Sequence, residues 1–201
     1  MTFWSSLIAY ALGLPLGVML VVTRRQGIMP APTFNAVLGV VINFLRSIPF
    51  IIMLALLFPV TRAVVGTAIG TDAIVFPLIV SAFPYIARMV ESSLEEVDHG
   101  IIEAAQSMGS TNAQIIFKVL LPEAVPSLVN GAAISITTIL GYTAMASAAG
   151  GGGLGALAIV KGLNVRKYDV MYSASILLVM LVQIITVFGT RFTRGLDHKR
   201  R

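Results

Sequence analysis

What most narrows the fold of this chain is a row of apolar runs, each long enough to cross a bilayer. About 20 mostly apolar residues in a helix span roughly 30 Å of hydrocarbon, and only helices and closed barrels satisfy every backbone group there. Five runs qualify: Phe3 to Val22, Ala36 to Val60, Ala73 to Val90, Ala124 to Ala149 and Val170 to Thr190. None alternates polar and apolar residues as a barrel strand does. The expected fold is therefore all-α and integral to the membrane, with five transmembrane helices and a long connection between the third and fourth. Composition agrees: 57% of the 201 residues are hydrophobic and only 11% are charged, with a mean hydropathy of +0.91. Prolines inside or beside the runs (Pro15, Pro49, Pro59, Pro77, Pro84, Pro126) point to kinked helices whose freed carbonyls are satisfied by neighbours.

The net charge of +5 raises the question of nucleic acid, but the basic residues gather at the ends of the apolar runs without interleaved aromatics for stacking bases. They read instead as topology signals. One side collects Arg24, Arg25, Lys118, Arg191, Arg194, Lys199, Arg200 and Arg201, with Arg46 and Arg88 entering from its edge; the other holds Arg62, Lys161, Arg166 and Lys167. Ten against four places the first and third connections and a basic tail at 197–201 in the cytoplasm, and the N-terminus outside. The first run is read as a retained helix because its arginines follow it, whereas a signal peptide carries them in front. Since that run begins almost at Met1, the natural start is expected to lie further upstream.

Several chemistries lack their residues. There is no cysteine, and His99 and His198 are far apart, so no metal site is expected. No Gly-x-x-x-x-Gly-Lys-[Ser/Thr] occurs; "GGGGLG" at 150–155 has no lysine for phosphates and reads as a flexible or closely packed turn. The acidic residues all lie at or beyond the ends of the runs, which argues against a self-sufficient proton-coupled carrier, although sodium coupling through backbone carbonyls stays open. Arg46 is the one deep charge. It either lines a path or serves a structural role facing protein.

The segment from Glu91 to Pro122 is the longest polar stretch. "MVESSLEEVDHGIIEAAQSMG" carries helix formers that end at Gly109, a residue suited to the left-handed position that closes a helix. Thr111 to Gln114 then fits a capping box, and Ile115, Ile116, Val119 and Leu120 form an apolar face that Pro122 is expected to terminate. The outcome is two short helices with a glycine elbow. Their covered face fits either a partner protein or the underside of the chain's own bundle.

"EAAQSMGSTNAQIIFKVLLP" resembles the EAA motif of permease subunits of bacterial ABC importers, with Glu103, Ala104, Ala105, Gly109, Leu121 and Pro122 at the motif positions. The likeness continues through "FLRSIPFIIML" (44–54), "VGTAIG" (65–70), "FPYIARMVE" (83–91), "LLPEAVPSLVNGA" (120–132) and "GYTAMASAAGGGGLG" (141–155), where the wording is similar to methionine-uptake permeases. The resemblance implies a transmembrane domain over 1–196 whose segment 91–122 is the coupling element. It also implies a homodimer in the bacterial cytoplasmic membrane, two cytoplasmic ATPase subunits that bind ATP and magnesium, and an external substrate-binding lipoprotein. No cofactor in this chain and no nucleic acid are implied. Path candidates chosen by position are Arg46, Ser47, Asn130, Ser135 and Tyr142, and small residues Gly131, Ala132, Ala133, Ser135 and Gly141 suit close helix contacts. A permease for another amino acid or small solute shares these features. A stand-alone carrier or channel is the alternative of a different class.

Overall fold

The first apolar run forms α1 (Thr2–Val22) and the third forms α5 (Thr71–Glu95), and these two pack together along most of their length. Glycine sets that approach. A Cβ on Gly13 would sit 2.7 Å from Ile86 Cγ2, and one on Gly17 would sit 2.6 Å from Val90 Cβ, so only the bare backbone fits there. Inside a bilayer apolar burial gives helices little reason to associate, and such close backbone contact supplies the van der Waals energy in its place. Ala9, Ala82, Ile86, Val90 and Leu94 are buried in the seam, joined by Leu120, Ala124 and Ile139 from a later helix.

The structure, a computed structural model, describes residues 1–197. Between α1 and α5 lie α2 (Pro32–Ser47), α3 (Phe50–Leu56) and α4 (Phe58–Val65). After α5 come the short α6 (His99–Ser107), the long α7 (Asn112–Met145), the mainly π-helical α8 (Leu154–Asn164) and α9 (Tyr168–Asp197). No strand occurs among the described residues. Among the described residues four helices, α1, α5, α7 and α9, are long and apolar enough to cross a membrane; α2 and α3 add a fifth span only if the pair is counted as one.

That pair corrects the expected second span. The run from Ala36 to Val60 is not one helix: α2 ends at Ser47, the chain turns through 99° at Ile48 and Pro49, and α3 sets off in another direction. Proline explains the break, since Pro49 holds Ile48 in an extended conformation (ψ 120°) that a helix cannot continue through. The third run, the shortest in sequence, becomes a 25-residue helix and the most enclosed of the spans.

Pro122 does the opposite of what its chemistry suggested. The helix that starts at Asn112 continues through it to Met145, 34 residues in all. The turn before it, Ile116–Leu120, widens to π geometry, and the Leu121 amide reaches back five residues to the Ile116 carbonyl. The wider turn gives the ring room that a regular α-helix lacks, so the proline is absorbed without a break. The polar connection between α5 and α7 is correspondingly shorter than 91–122, because Glu95 still belongs to α5 and Asn112 already to α7.

Among the small residues of α7, Gly131 lies against Met89 and Ser93, while Ala133 receives Gly189 of α9 so closely that a Cβ on that glycine would come within 2.5 Å. Gly141 differs from expectation and faces open space. The turn at 150–155 is closely packed: a Cβ on Gly151 would meet Ile74 Cδ1 at 2.7 Å, and one on Gly155 would meet the Ala144 backbone at 2.3 Å. The outer sides of α2 and α9, with Val40, Phe44, Val179, Ile184 and Phe188, are exposed and apolar, as surfaces turned to lipid or to another subunit must be.

The α1–α5 seam predicts that Gly17→Val lowers stability by about 1–3 kcal/mol through overpacking. Thermal unfolding in detergent should show a clear drop for it, and Gly141→Ala, made in open space, should show none.

Candidate functional site

The elbow between α5 and α7 is built almost wholly from local hydrogen bonds. α5 closes at Leu94, whose carbonyl accepts from the Val97 amide at 3.3 Å. Asp98 then caps α6, its Oδ1 accepting from the Gly100 amide at 2.8 Å. At the other end, the amides of Ser110 and Gly109 donate to the carbonyls of Ala105 (3.1 Å) and Gln106 (2.9 Å), the paired bonds of a Schellman closure. That closure needs a left-handed residue, and Gly109 supplies it at φ +77°. The capping box follows: Thr111 Oγ1 accepts from the Gln114 amide at 3.3 Å, and Gln114 Oε1 accepts from the Thr111 amide at 2.9 Å.

α6 is fastened by its inner face only. Ala105 is buried and Ile102 packs onto the cluster containing Leu94, Leu120 and Ala124. Ile115 and Leu120 are fully buried just beyond the elbow, whereas Phe117 stands out. Glu103, Ala104, Met108 and Gly109 form an exposed outer face. Glu103 meets His99 Nδ1 at 3.2 Å on the surface, and that carboxylate keeps most of its exposure. A ledge of this kind, small and flat with one acidic corner, can take contact from another protein without rearranging its own backbone. Leu121 is half-buried and Pro122 exposed, both just past the π-helical turn.

The five path candidates do not converge. Arg46 and Ser47 are exposed at the end of α2, immediately before the 99° bend, with Ser47 Oγ donating to the Asn43 carbonyl at 2.7 Å. Tyr142 stacks on Phe50, the first residue of α3, at 5.0 Å between ring centroids and 5° between planes. Ser135 is completely buried and donates to the Gly131 carbonyl at 2.8 Å, as a helix-core hydroxyl does. Asn130 lines a separate polar recess of about 400 Å³ with Ser93, Asp98, Ser127 and Thr193. About 18 Å of α7 separates it from Tyr142, twelve residues on. Among the described residues no group of three His, Cys, Asp or Glu could hold a metal ion.

Sequence reasoning missed one cluster. Glu91, almost fully buried, accepts at Oε1 from Arg24 Nη2 (2.7 Å) and at Oε2 from Arg88 Nη1 (2.5 Å). Arg24 also pairs with Glu95, and Arg88 Nη2 donates to the Gly39 carbonyl on α2 at 3.0 Å. Burial works against charge on Arg24, but its hydrogen bond to Glu91 and the fields of Glu95 and Glu91 outweigh that and hold its pKa above the usual arginine value. The Arg88 and Glu91 spacing of three was visible in sequence. Arg24, 67 residues away from Glu91, was not a partner that spacing could reveal.

The family model for the inner membrane component of binding-protein-dependent transport systems matches residues 4–201. The chain belongs to this family. As a permease it is the membrane subunit of a transport system and not an enzyme. It is 45% identical over 192 residues to a probable D-methionine transport system permease protein, MetI, of Vibrio cholerae, covering 96% of this chain and 85% of that one. It is 40% identical over 181 residues to the methionine import system permease protein MetP of Bacillus subtilis, covering 90% and 82%. Among solved structures, an inward-facing MetNI methionine ABC transporter superposes with a TM-score of 0.95 at 46% identity, covering 98% of this chain and 91% of that one. An amino acid ABC transporter crystallised with histidines shares the fold, with a TM-score of 0.74 at 21% identity.

The capping of the permease's elbow carries a local prediction. Thr111→Ala should cost about 1 kcal/mol at the cap, and Gly109→Ala about 1–3 kcal/mol through the left-handed backbone it must adopt. Amide hydrogen exchange over residues 105–115 should accelerate severalfold in each variant, with the α1–α5 seam unchanged.

Proposed function

We propose that this chain is the permease subunit of an ATP-driven methionine importer, with α6 as the coupling helix that an ATPase subunit engages. The agreement with the methionine transporter across 98% of the chain carries this reading, and the exposed Glu103, Ala104 and Gly109 ledge supports the place of contact. Two copies enclose the path, two cytoplasmic subunits hold ATP and magnesium, and an external binding lipoprotein delivers the solute. The N-terminus lies outside and the elbow inside, as the distribution of arginine and lysine favours.

In this reading, closure of the ATPase pair pushes α6. Because α6 seats Ile102 against the cluster that includes Leu120 and Ala124, the push acts at the start of α7. α7 is a continuous rod from Asn112 to Met145, so a displacement near Leu121 and Pro122 tilts its far end, where Tyr142 lies on Phe50. Arg46 and Ser47 stand beside the α2–α3 bend that the stack supports. A zwitterionic solute is passed by weak polar contacts there and not held in a tight site.

The complex with its ATPase subunits, reconstituted in vesicles, should accumulate labelled methionine only with ATP, and unlabelled D- or L-methionine should compete. Absence of methionine competition would overturn the substrate, and uptake without any ATPase subunit would favour a channel. Replacing Glu103 with Ala or Gly109 with Val should lower uptake roughly tenfold while ATP hydrolysis persists, the range expected when a coupling contact of one to two kcal/mol is lost. Unchanged uptake in both would remove α6 from the coupling role.

A further inference from the structure

Between the elbow and the bent α2–α3 pair, the described side chains offer one polar bridge, and it is the Arg24, Glu91 and Arg88 cluster. α5 runs directly into α6 at Glu95 to Asp98, so whatever moves α6 acts on the end of α5 that carries Glu91. α2 is only loosely attached: Ile42 is its one buried residue. Its side-chain hydrogen bonds to the rest of the chain are few. Near its start, Asn35 Nδ2 donates to the Leu20 carbonyl at 2.6 Å and to Thr23 Oγ1 at 3.0 Å, and further along, Arg88 Nη2 donates to the Gly39 carbonyl.

We infer that Arg88 is the positioning residue through which motion of the coupling elbow reaches α2, and with it the bend beside Arg46, Ser47 and Phe50; this rests on the ABC permease reading above. Three observations carry it. First, Glu91 is buried and uses its two oxygens on two different arginines, which fixes the Arg88 guanidinium relative to both α5 and the end of α1. A buried carboxylate with both oxygens engaged holds its partners strongly, because losing either leaves charge unpaired. Second, the guanidinium is what a side chain at residue 39 would meet: a Cβ on Gly39 would stand in ordinary contact with Arg88 Nη2 at 3.5 Å, so a longer side chain there would press on the bridge. Third, Arg88 Nε is buried and has no hydrogen-bond partner in this arrangement. Buried donors are rarely left unpaired, so this one leaves the fork a donor that a further acceptor would take up. A guanidinium with donors in a rigid fork is suited to exchange, keeping Glu91 while trading one acceptor for another.

The test uses the whole complex with its ATPase subunits in vesicles and measures solute imported per ATP hydrolysed. Two variants attack the bridge from opposite sides. Arg88→Met keeps the length of the side chain and removes every donor. Gly39→Leu keeps all three charges and places bulk where the guanidinium meets the helix. Both should hydrolyse ATP while importing roughly tenfold less solute per ATP. Arg88→Lys, which keeps the pairing with Glu91 but loses the fork, should recover assembly without recovering the import ratio. A merely structural role is separated by distance: because the chain has no cysteine, spin labels can be placed cleanly at exposed Val40 and Ser107. The label separation should change with ATP in the wild type and stay fixed in Gly39→Leu. If Arg88→Met does not assemble, Gly39→Leu decides. An unchanged import ratio with an unchanged ATP-driven label shift in Gly39→Leu overturns the inference. A wild-type complex that hydrolyses ATP but imports no amino acid overturns the transport reading instead.

Discussion

The rest of the structure depends on the near contact of two backbones, α1 and α5, at Gly13 and Gly17. In water a helix pair is driven together by apolar surface leaving solvent, but lipid is no worse a neighbour than leucine, so shape has to supply what hydration does not. The two glycines permit Ile86 and Val90 to fill the notch, and the resulting pair is the fixed frame on which α7 leans through Leu120, Ala124 and Ile139. What hangs from that frame follows from the end of α5: the Arg24 and Arg88 pairing to Glu91 on one side, and the elbow with α6 on the other. The outer helices α2 and α9 are less embedded, so their places answer to the frame and not the reverse.

Proline and glycine decide the departures from an ideal bundle, and they do so by context. Pro49 breaks the second apolar run, because the residue before it is forced to an extended conformation at a point where no π-helical turn makes room for the ring. Pro122 does not break α7, because the turn preceding it is already expanded and Leu121 donates to Ile116 instead of to the usual acceptor. The same residue type thus produces a right-angle bend in one place and a continuous 34-residue helix in another.

Much of this was legible in the sequence. The apolar runs located α1 closely and the bodies of α5 and α9, since hydrocarbon thickness sets a length that composition alone can meet, but α7 begins at Asn112, well ahead of the run that opens at Ala124. The elbow was legible in part: Gly109 and the Thr111 to Gln114 box are local signals and the same atoms make the bonds, whereas the break before Asp98 that separates α6 from α5 was not read. What was not legible is what depends on distance along the chain. The α2–α3 bend lies in a run that is apolar on both sides, so hydropathy reads straight across it. The Arg24 to Glu91 pair joins residues 67 apart, and counting arginines for topology treated both as ordinary end charges. Position alone suggests Asn130, Ser135 and Tyr142 together, yet their side chains face a recess, the core and an aromatic stack respectively.

The Schellman closure and the two caps around α6 leave that helix with its terminal backbone groups largely satisfied from within. In the coupling role proposed for it, a tip made this way is sealed: it can leave one protein surface and settle on another with little backbone exposed at either moment. Its grip is then a matter of the few side chains it displays, Glu103, Ala104 and Met108 among them, and recognition can drift through those positions while the mechanics beneath stay the same.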